Sequence, residues 1–322
     1  MLRGVSASPN NDESRTLVVG CGFIGSNLVE ALCARGERPI VLSRSRPAEA
    51  LVGLIGEANL IVGDAADREV VETALPGVAR VVFAAGGLLP AASEQDPELD
   101  RVLTLGPVET MLAALEGRPG VLLTYLSSGG TVYGEPARIP ARETDPTDPI
   151  SAYGKLHLGC EERIAAARRN SDLRARVLRC ATVYGEHQQP DRGQGAIVTF
   201  LHRIEKGERI DLFGGGSTVR DYVYVGDVAN AIVATMGSAD APKLMNVGSG
   251  EGTSLLEVLR LAEAQVGRAA NVANHPERGF DVHRIVLDTT RLREATGLES
   301  TPLETGIART HDWLLANVGE VA

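Results

Sequence analysis

A tyrosine with a histidine one helical turn later, Tyr153-Gly154-Lys155-Leu156-His157, is the pairing in this chain that could move a proton. At i and i+4 the two side chains share one face of a helix, while Lys155 at i+2 points elsewhere. A phenol has an ordinary pKa of about 10. It serves as an acid or base near neutrality only when a neighbour moves that value. A permanent cation beside it would favour the phenolate, whereas an imidazole carries charge only below about 6.5. On residue types alone, Tyr153 and His157 are either a proton-transfer pair or two ring side chains on a packed helix.

A second cluster suits an anion. Gly20-Cys21-Gly22-Phe23-Ile24-Gly25 follows the apolar run Leu17-Val18-Val19 and opens a helical pattern. Gly20 permits a tight turn, Gly22 lets a pyrophosphate approach the backbone, and Gly25 lets helix and strand pack closely. The helix N-terminal amides, those of Phe23 and Ile24 included, would bind the anion. The end of the second strand discriminates between cofactors. NAD sites usually place an acid there to accept from the ribose 2′-hydroxyl. Here it reads Ser43-Arg44-Ser45-Arg46, a set better suited to a 2′-phosphate through charge-assisted hydrogen bonds. NADP(H) is therefore favoured, with NAD possible. Asp64, after the third strand, could accept from the adenine amino group or cap the next helix.

These residues need a scaffold that brings strand ends to one edge. Short apolar runs at Leu17–Val19, Pro39–Leu42, Leu60–Val62, Val78–Ala85 and Val121–Leu126 alternate with helical patterns. The runs are apolar on both faces, as a parallel sheet covered by helices requires. The fold class is α/β: a Rossmann-type doubly wound parallel sheet with a smaller C-terminal substrate lobe. After Tyr184 the rhythm changes. A Gly/Gln-rich stretch from Glu186 to Gly195 precedes a helix over Ala196–Lys206, a strand at Arg209–Phe213 and a glycine turn at Gly214–Gly216. Tyr222–Tyr224 with the helix after it, and helices over Ser254–Val266 and Pro302–Leu315, complete the pattern. The expected division is a disordered tail over 1–15, a dinucleotide unit over 16–185 plus about 220–252, and a lobe over 186–219 and 253–322.

The 322 residues carry a net charge of −10 with 43% hydrophobic content. That excludes a broad basic nucleic-acid surface and leaves anionic ligands to local arginines. No run is long enough for a membrane span. The four cysteines form no CxxC pair or metal spacing, so no metal is expected. The N-terminal stretch lacks the apolar core of a secretory signal, and a cytoplasmic enzyme is the expectation.

Several segments together are similar to the extended short-chain dehydrogenase/reductase family, whose members modify nucleotide sugars. Gly22-Phe23-Ile24-Gly25-Ser26-Asn27-Leu28 resembles the family opening. Ser127-Ser128-Gly129-Gly130-Thr131-Val132-Tyr133-Gly134 looks like its Ser-Ser-x-x-x-Val-Tyr-Gly strand end, and Val183-Tyr184-Gly185 like its second Val-Tyr-Gly. Gly216 to Val225 is similar to the Arg-Asp-Tyr segment of UDP-glucose 4-epimerase-like members, and Asn246-Val247-Gly248 to a later family motif. The order along the chain is the family's.

The resemblance implies that Tyr153 exchanges a proton with a sugar hydroxyl while a nicotinamide exchanges hydride with the sugar carbon. The family's Tyr-x-x-x-Lys is departed from, because His157 stands where the lysine holds the nicotinamide ribose. The usual Ser/Thr is Gly129, so Ser128 or Thr131 would donate to the substrate oxygen, with Thr131 favoured. Ala84 and Ala85, closing the fourth strand, fall among the cofactor-contacting positions. Gln194 resembles the nucleotide-contacting loop. Arg220 and Arg278 match the arginines that bind the sugar-nucleotide diphosphate, with Tyr222 beside Arg220 and Thr182 in place of the usual Asn. The implied ligand is a UDP- or dTDP-hexose and the implied assembly a homodimer. Three activities fit: an NADPH-dependent 4-keto-sugar reductase, which is favoured; a nucleotide-sugar 4-epimerase with tightly held NAD; and an NADP-binding sensor with impaired catalysis. A histidine at 157 also implies an enzyme that is weaker, shifted in pH or biased toward reduction.

Overall fold

The computed structural model describes residues 15–190, 195–238, 240–277 and 282–317. The first quarter alternates strictly: β1 (Arg15–Val19), α1 (Phe23–Cys33), β2 (Ile40–Ser43), α2 (Glu49–Ile55), β3 (Leu60–Val62), α3 (Arg68–Ala74) and β4 (Val78–Phe83). Then come α4 (Pro90–Gln95), α5 (Pro97–Leu115), β5 (Leu122–Ser128), α6 (Gly129–Val132), α7 (Ala152–Asn170), β6 (Arg174–Cys180) and β7 (Thr182–Tyr184). The rest comprises α8 (Ala196–Lys206), β8 (Arg209–Phe213), β9 (Val219–Tyr224), α9 (Val225–Met236), β10 (Leu244–Val247) and β11 (Gly252–Ser254). α10 (Leu255–Val266), β12 (Asn271–His275), β13 (Arg284–Ile285), α11 (Thr290–Thr296) and α12 (Leu303–Asn317) close it.

Seven strands form one sheet in the order β10-β6-β5-β4-β1-β2-β3, and every pairing is parallel. The order runs outward from β1 in both directions, so it reverses between β1 and β4. Ligands of such sheets bind in the crevice at the C-terminal ends of those strands. Alternation along β1 covers both faces. Leu17 and Val19 join a core with Val71 of α3, Met111 of α5 and Ile164 of α7. Val18 points the other way, into a core with Leu28 of α1 and Ile232 of α9.

The second unit has its own core, where α8, α10 and α12 close over Ile210, Leu212 and Tyr222. Its main sheet places β9 between antiparallel β11 and parallel β13, with β7 also parallel to β9. β9 and β7 thus belong to this second sheet, although the chain rhythm assigns both to the dinucleotide unit. α9 and β10, by contrast, do pack with the seven-stranded sheet. Asp221 of β9 ties the units together. Its carboxylate accepts from Ser249 N and Oγ, both at 2.7 Å, from Gly250 N at 3.1 Å and from Leu287 N at 3.2 Å. Among the described residues no helix is long and apolar enough to cross a membrane.

Candidate active site

A cleft of about 350 Å³ opens where the strand order reverses, lined by Gly20, Cys21, Gly22, Ser43, Arg44, Ser45, Asp64, Ala84, Ala85 and Gly87 among others. Gly20 holds φ +92°, and a Cβ there would lie 2.6 Å from Ala85 N and Cα. At Gly25 a Cβ would lie 1.9 Å from the Gly20 carbonyl oxygen, whereas Gly22 has nothing within 4 Å. The first and third glycines therefore serve tight packing, and the second faces open space at the start of α1. The first amides of that helix are donors without helical partners. A dinucleotide pyrophosphate fits this cradle. The Phe23 and Ile24 side chains turn away and pack into the second unit's core, so these residues offer the cleft backbone only.

The residues expected at the ribose divide. Arg44 is exposed on the cleft wall and bonds to no described residue. Arg46 is instead captured by Glu49 and Glu57 in surface ion pairs and does not line the cleft. The local spacing does not reveal this, because Glu57 arrives from beyond α2. Asp64 lines the cleft, with Oδ1 accepting from Ala66 N at 2.8 Å. The cap of α3 is Asp67, which accepts from Glu69 N, so Asp64 does not cap that helix.

α7 is capped by Ser151, whose hydroxyl accepts from Gly154 N at 3.1 Å. Tyr153 and His157 share its inner face, with ring centroids 4.4 Å apart, and Lys155 is exposed. His157 is 7% exposed, and its Nδ1 lies 2.9 Å from the Tyr125 hydroxyl of β5. Burial pushes the imidazole down to about 4, against a smaller upward pull from the Asp100 carboxylate. The sequence alone suggests a switch near 6.5; burial removes it from the neutral range. Burial, with Asp100 next, raises the Tyr153 phenol well above its ordinary value. Tyr153 therefore stands beside an uncharged ring and holds its proton.

Asp100 has no signature in the sequence beyond a threonine one turn later. It is fully buried in α5. Its Oδ1 accepts from Leu88 N at 2.8 Å and Thr104 Oγ1 at 2.9 Å, pinning the loop after β4 that lines the cleft. Its Oδ2 has no hydrogen-bond partner. Tyr153 and His157 are not among the residues that line the cleft, but both lie within reach of the Asp100 charge.

At the end of β5, Thr131 Oγ1 donates to the Ser128 carbonyl at 3.3 Å, while the Ser128 hydroxyl bonds to no described residue. Of the two hydroxyls, the one expected to act is thus occupied by backbone. A Cβ at Gly129 would lie 2.6 Å from Leu287 Cδ1 and 2.8 Å from the Arg179 carbonyl oxygen, so this position is packed for glycine. Beneath it Glu161 accepts from Arg179 Nη2 at 2.7 Å and Nε at 3.0 Å and from Ser127 Oγ, a buried cluster one turn beyond His157.

In the second unit Thr182 is half-buried on β7 and Arg220 half-buried on β9. Arg220 Nη1 donates to its neighbour's carbonyl, Val219 O, at 3.0 Å. Tyr222 is 6% exposed in the second unit's core, and burial pushes its phenol up to about 12. Gln194 and Arg278 lie outside the described residues.

The NAD dependent epimerase/dehydratase family model matches residues 16–248. A UDP-glucose 4-epimerase of Mycolicibacterium smegmatis is 34% identical over 306 residues, covering 92% of this chain and 97% of that protein. A dTDP-6-deoxy-L-talose 4-dehydrogenase (NAD(P)(+)) of Kitasatospora kifunensis is 30% identical over 302 residues, covering 90% and 92%. The fold is similar to the crystal structure of the UDP-glucose 4-epimerase of Thermus thermophilus in complex with NAD. The TM-score is 0.87 and the identity 32%, covering 94% of this chain and 99% of that one.

Proposed function

The chain belongs to the NAD dependent epimerase/dehydratase family, an enzyme family acting on nucleotide sugars, and from that premise we propose that it reduces the 4-keto group of a UDP- or dTDP-hexose with NADPH. The observation that carries this reading is Tyr153 beside a buried, neutral His157. A phenol that keeps its proton is set to give one, and reduction of a ketone consumes a proton at the oxygen. The bound nicotinamide supplies the hydride. Ser43 and Arg44 hold the ribose 2′-phosphate, and the Gly20–Gly25 turn and the first amides of α1 hold the pyrophosphate. His157 bonds a ribose hydroxyl, and Tyr153 delivers its proton to the C4 oxygen. Ser128, whose hydroxyl is uncommitted, orients that oxygen, with Thr131 behind it. Arg220 and Arg278 take the sugar diphosphate, with Thr182, Gln194 and Tyr222 around the nucleotide sugar. A homodimer through α5 and α7 completes the proposal, supported by Leu99, which α5 leaves 45% exposed.

The second reading is a 4-epimerase that recycles held NAD, favoured by the relatives that match over nearly their whole length. Denaturing the freshly purified protein and identifying any released dinucleotide separates the two. Stoichiometric NAD refutes the reductase. An empty protein that binds NADPH at least tenfold more tightly than NADH supports it, provided Arg44→Ala removes that preference. An empty protein with this preference that turns over no 4-keto hexose nucleotide leaves only a dinucleotide sensor.

A further inference from the structure

Tyr125 stands in β5 directly under α7 and is 1% exposed. Its hydroxyl meets Nδ1 of His157, 32 residues away in the chain, at 2.9 Å. Cys160 lies one turn along the same helix, close to that hydroxyl. A phenol has a single proton to donate, so two arrangements are open. In one, Tyr125 donates to His157 Nδ1. In the other, Nδ1–H donates to the phenol oxygen and the phenol proton has only the Cys160 thiol beside it. Sulfur is a weak acceptor and a neutral imidazole nitrogen a good one, so the first arrangement is favoured.

The first arrangement fixes the other end of the ring. A neutral imidazole whose Nδ1 accepts must carry its proton on Nε2. Nε2 bonds to no described residue and is not among the polar atoms sealed from solvent without a partner. The ring it belongs to packs against Tyr153 at 4.4 Å. We propose that Tyr125 is a positioning residue that locks His157 in the Nε2-protonated form, so that α7 presents a neutral donor, and not a charge, beside Tyr153. That this donor meets a dinucleotide ribose rests on the function proposed above; the locking itself does not. Burial, which holds the imidazole near 4, keeps the ring neutral and the lock in force through the neutral range.

The test is long-range ¹H–¹⁵N NMR of the full chain without ligand, with the His157 signals assigned by their loss in His157→Gln. The expected result is a protonated Nε2 and a bare Nδ1, with this preference lost in Tyr125→Phe. Phenylalanine keeps the ring that packs 6.2 Å from Phe83. NADPH binding should weaken about tenfold in Tyr125→Phe, the loss of one neutral hydrogen bond, and not weaken further when Tyr125→Phe is added to His157→Gln. A wild-type protein with the proton on Nδ1 overturns the proposal, and so does a Tyr125→Phe protein with unchanged His157 signals. Should that variant not fold, the wild-type signature decides alone. The expected tautomer in a protein that binds no dinucleotide would refute the proposed function while leaving the Tyr125 lock standing.

Discussion

Replacing His157 with lysine should lower the titration of Tyr153 by about two pH units. At pH 7 an imidazole held near 4 is protonated in only about one molecule in a thousand, so Tyr153 has no charged partner on its own helix. An ammonium near 5 Å, a spacing set by the 4.4 Å ring separation, would attract a phenolate by about 3 kcal/mol at an effective dielectric of about 20. At about 1.4 kcal/mol per pH unit this is the shift stated. Lysine should hold its charge there because its ordinary value of about 10.4 lies far enough above pH 7 to outlast the same burial, against which Asp100 pulls. The phenolate fraction at pH 7 would rise roughly a hundredfold. Alcohol oxidation, which needs the base, should gain more than ketone reduction, which needs the acid, and overall activity near neutrality should rise. The assay is the phenolate absorbance of His157→Lys against His157→Lys/Tyr153→Phe across pH, paired with rates in both directions. A folded variant whose Tyr153 titration and activity are unchanged would refute the charge argument.

His157 should also leave a mark on acid stability. Its pKa is near 4 folded and about 6.5 unfolded, so between those values the unfolded chain binds more protons and stability falls as pH drops, by roughly 3 kcal/mol in all. Urea midpoints measured from pH 7 to 4 should show a shallower decline in His157→Gln. Restoring a hydroxyl with Gly129→Ser should lower stability by about 1–3 kcal/mol and leave activity no higher, because the new Cβ meets Leu287 and the Arg179 carbonyl; a thermal melt and a rate check both points. Arg179→Met should destabilise by about 3–5 kcal/mol by leaving buried Glu161 without its cation, whereas Arg179→Met with Glu161→Leu should recover most of that loss in chemical denaturation.

What could be read from the chain was what local geometry dictates. β3 and α8 fall on the residues expected, because an apolar run or a 3.6-residue stripe carries its own boundaries. The Gly20–Gly25 turn was legible for the same reason. β6 was not, because Arg174-Ala175-Arg176-Val177-Leu178-Arg179-Cys180 alternates charge into a buried strand. Arg176 is tolerated inside by donating to the carbonyls of Thr235, Ser238, Ala241 and Pro242, and Arg179 by pairing with Glu161. Those partners come from other elements, and no spacing rule points to them. Asp100 and Tyr125 carry no local sequence signal for the same cause. Arg46 is the converse case, since its charge is used up by Glu49 and Glu57 before any ligand arrives.

The departures at 129 and 157 belong together, and their packing bears on whether this is a site rebuilt or a site in decay. A position abandoned by catalysis drifts toward loose packing and unpaired polar atoms, because nothing selects its partners. At Gly129 the opposite holds: backbone and Leu287 have closed to within Cβ contact. At His157 a buried phenol supplies the partner for Nδ1, and burying that imidazole without one would cost about 1–3 kcal/mol. Asp100 departs from this, a buried carboxylate with one oxygen unpaired, as does Arg179 with its Nη1, and the Asp100 charge works against ionising Tyr153. In a sensor such a charge would be a cost with no return. In a reductase the same charge disfavours the phenolate that the reverse alcohol oxidation needs, while a phenol still gives its proton readily to an alkoxide, which is far more basic. Asp100→Asn separates these cases: it should ease the ionisation of Tyr153 and raise alcohol oxidation more than ketone reduction, and a folded variant whose ratio of the two rates is unchanged would count against this role.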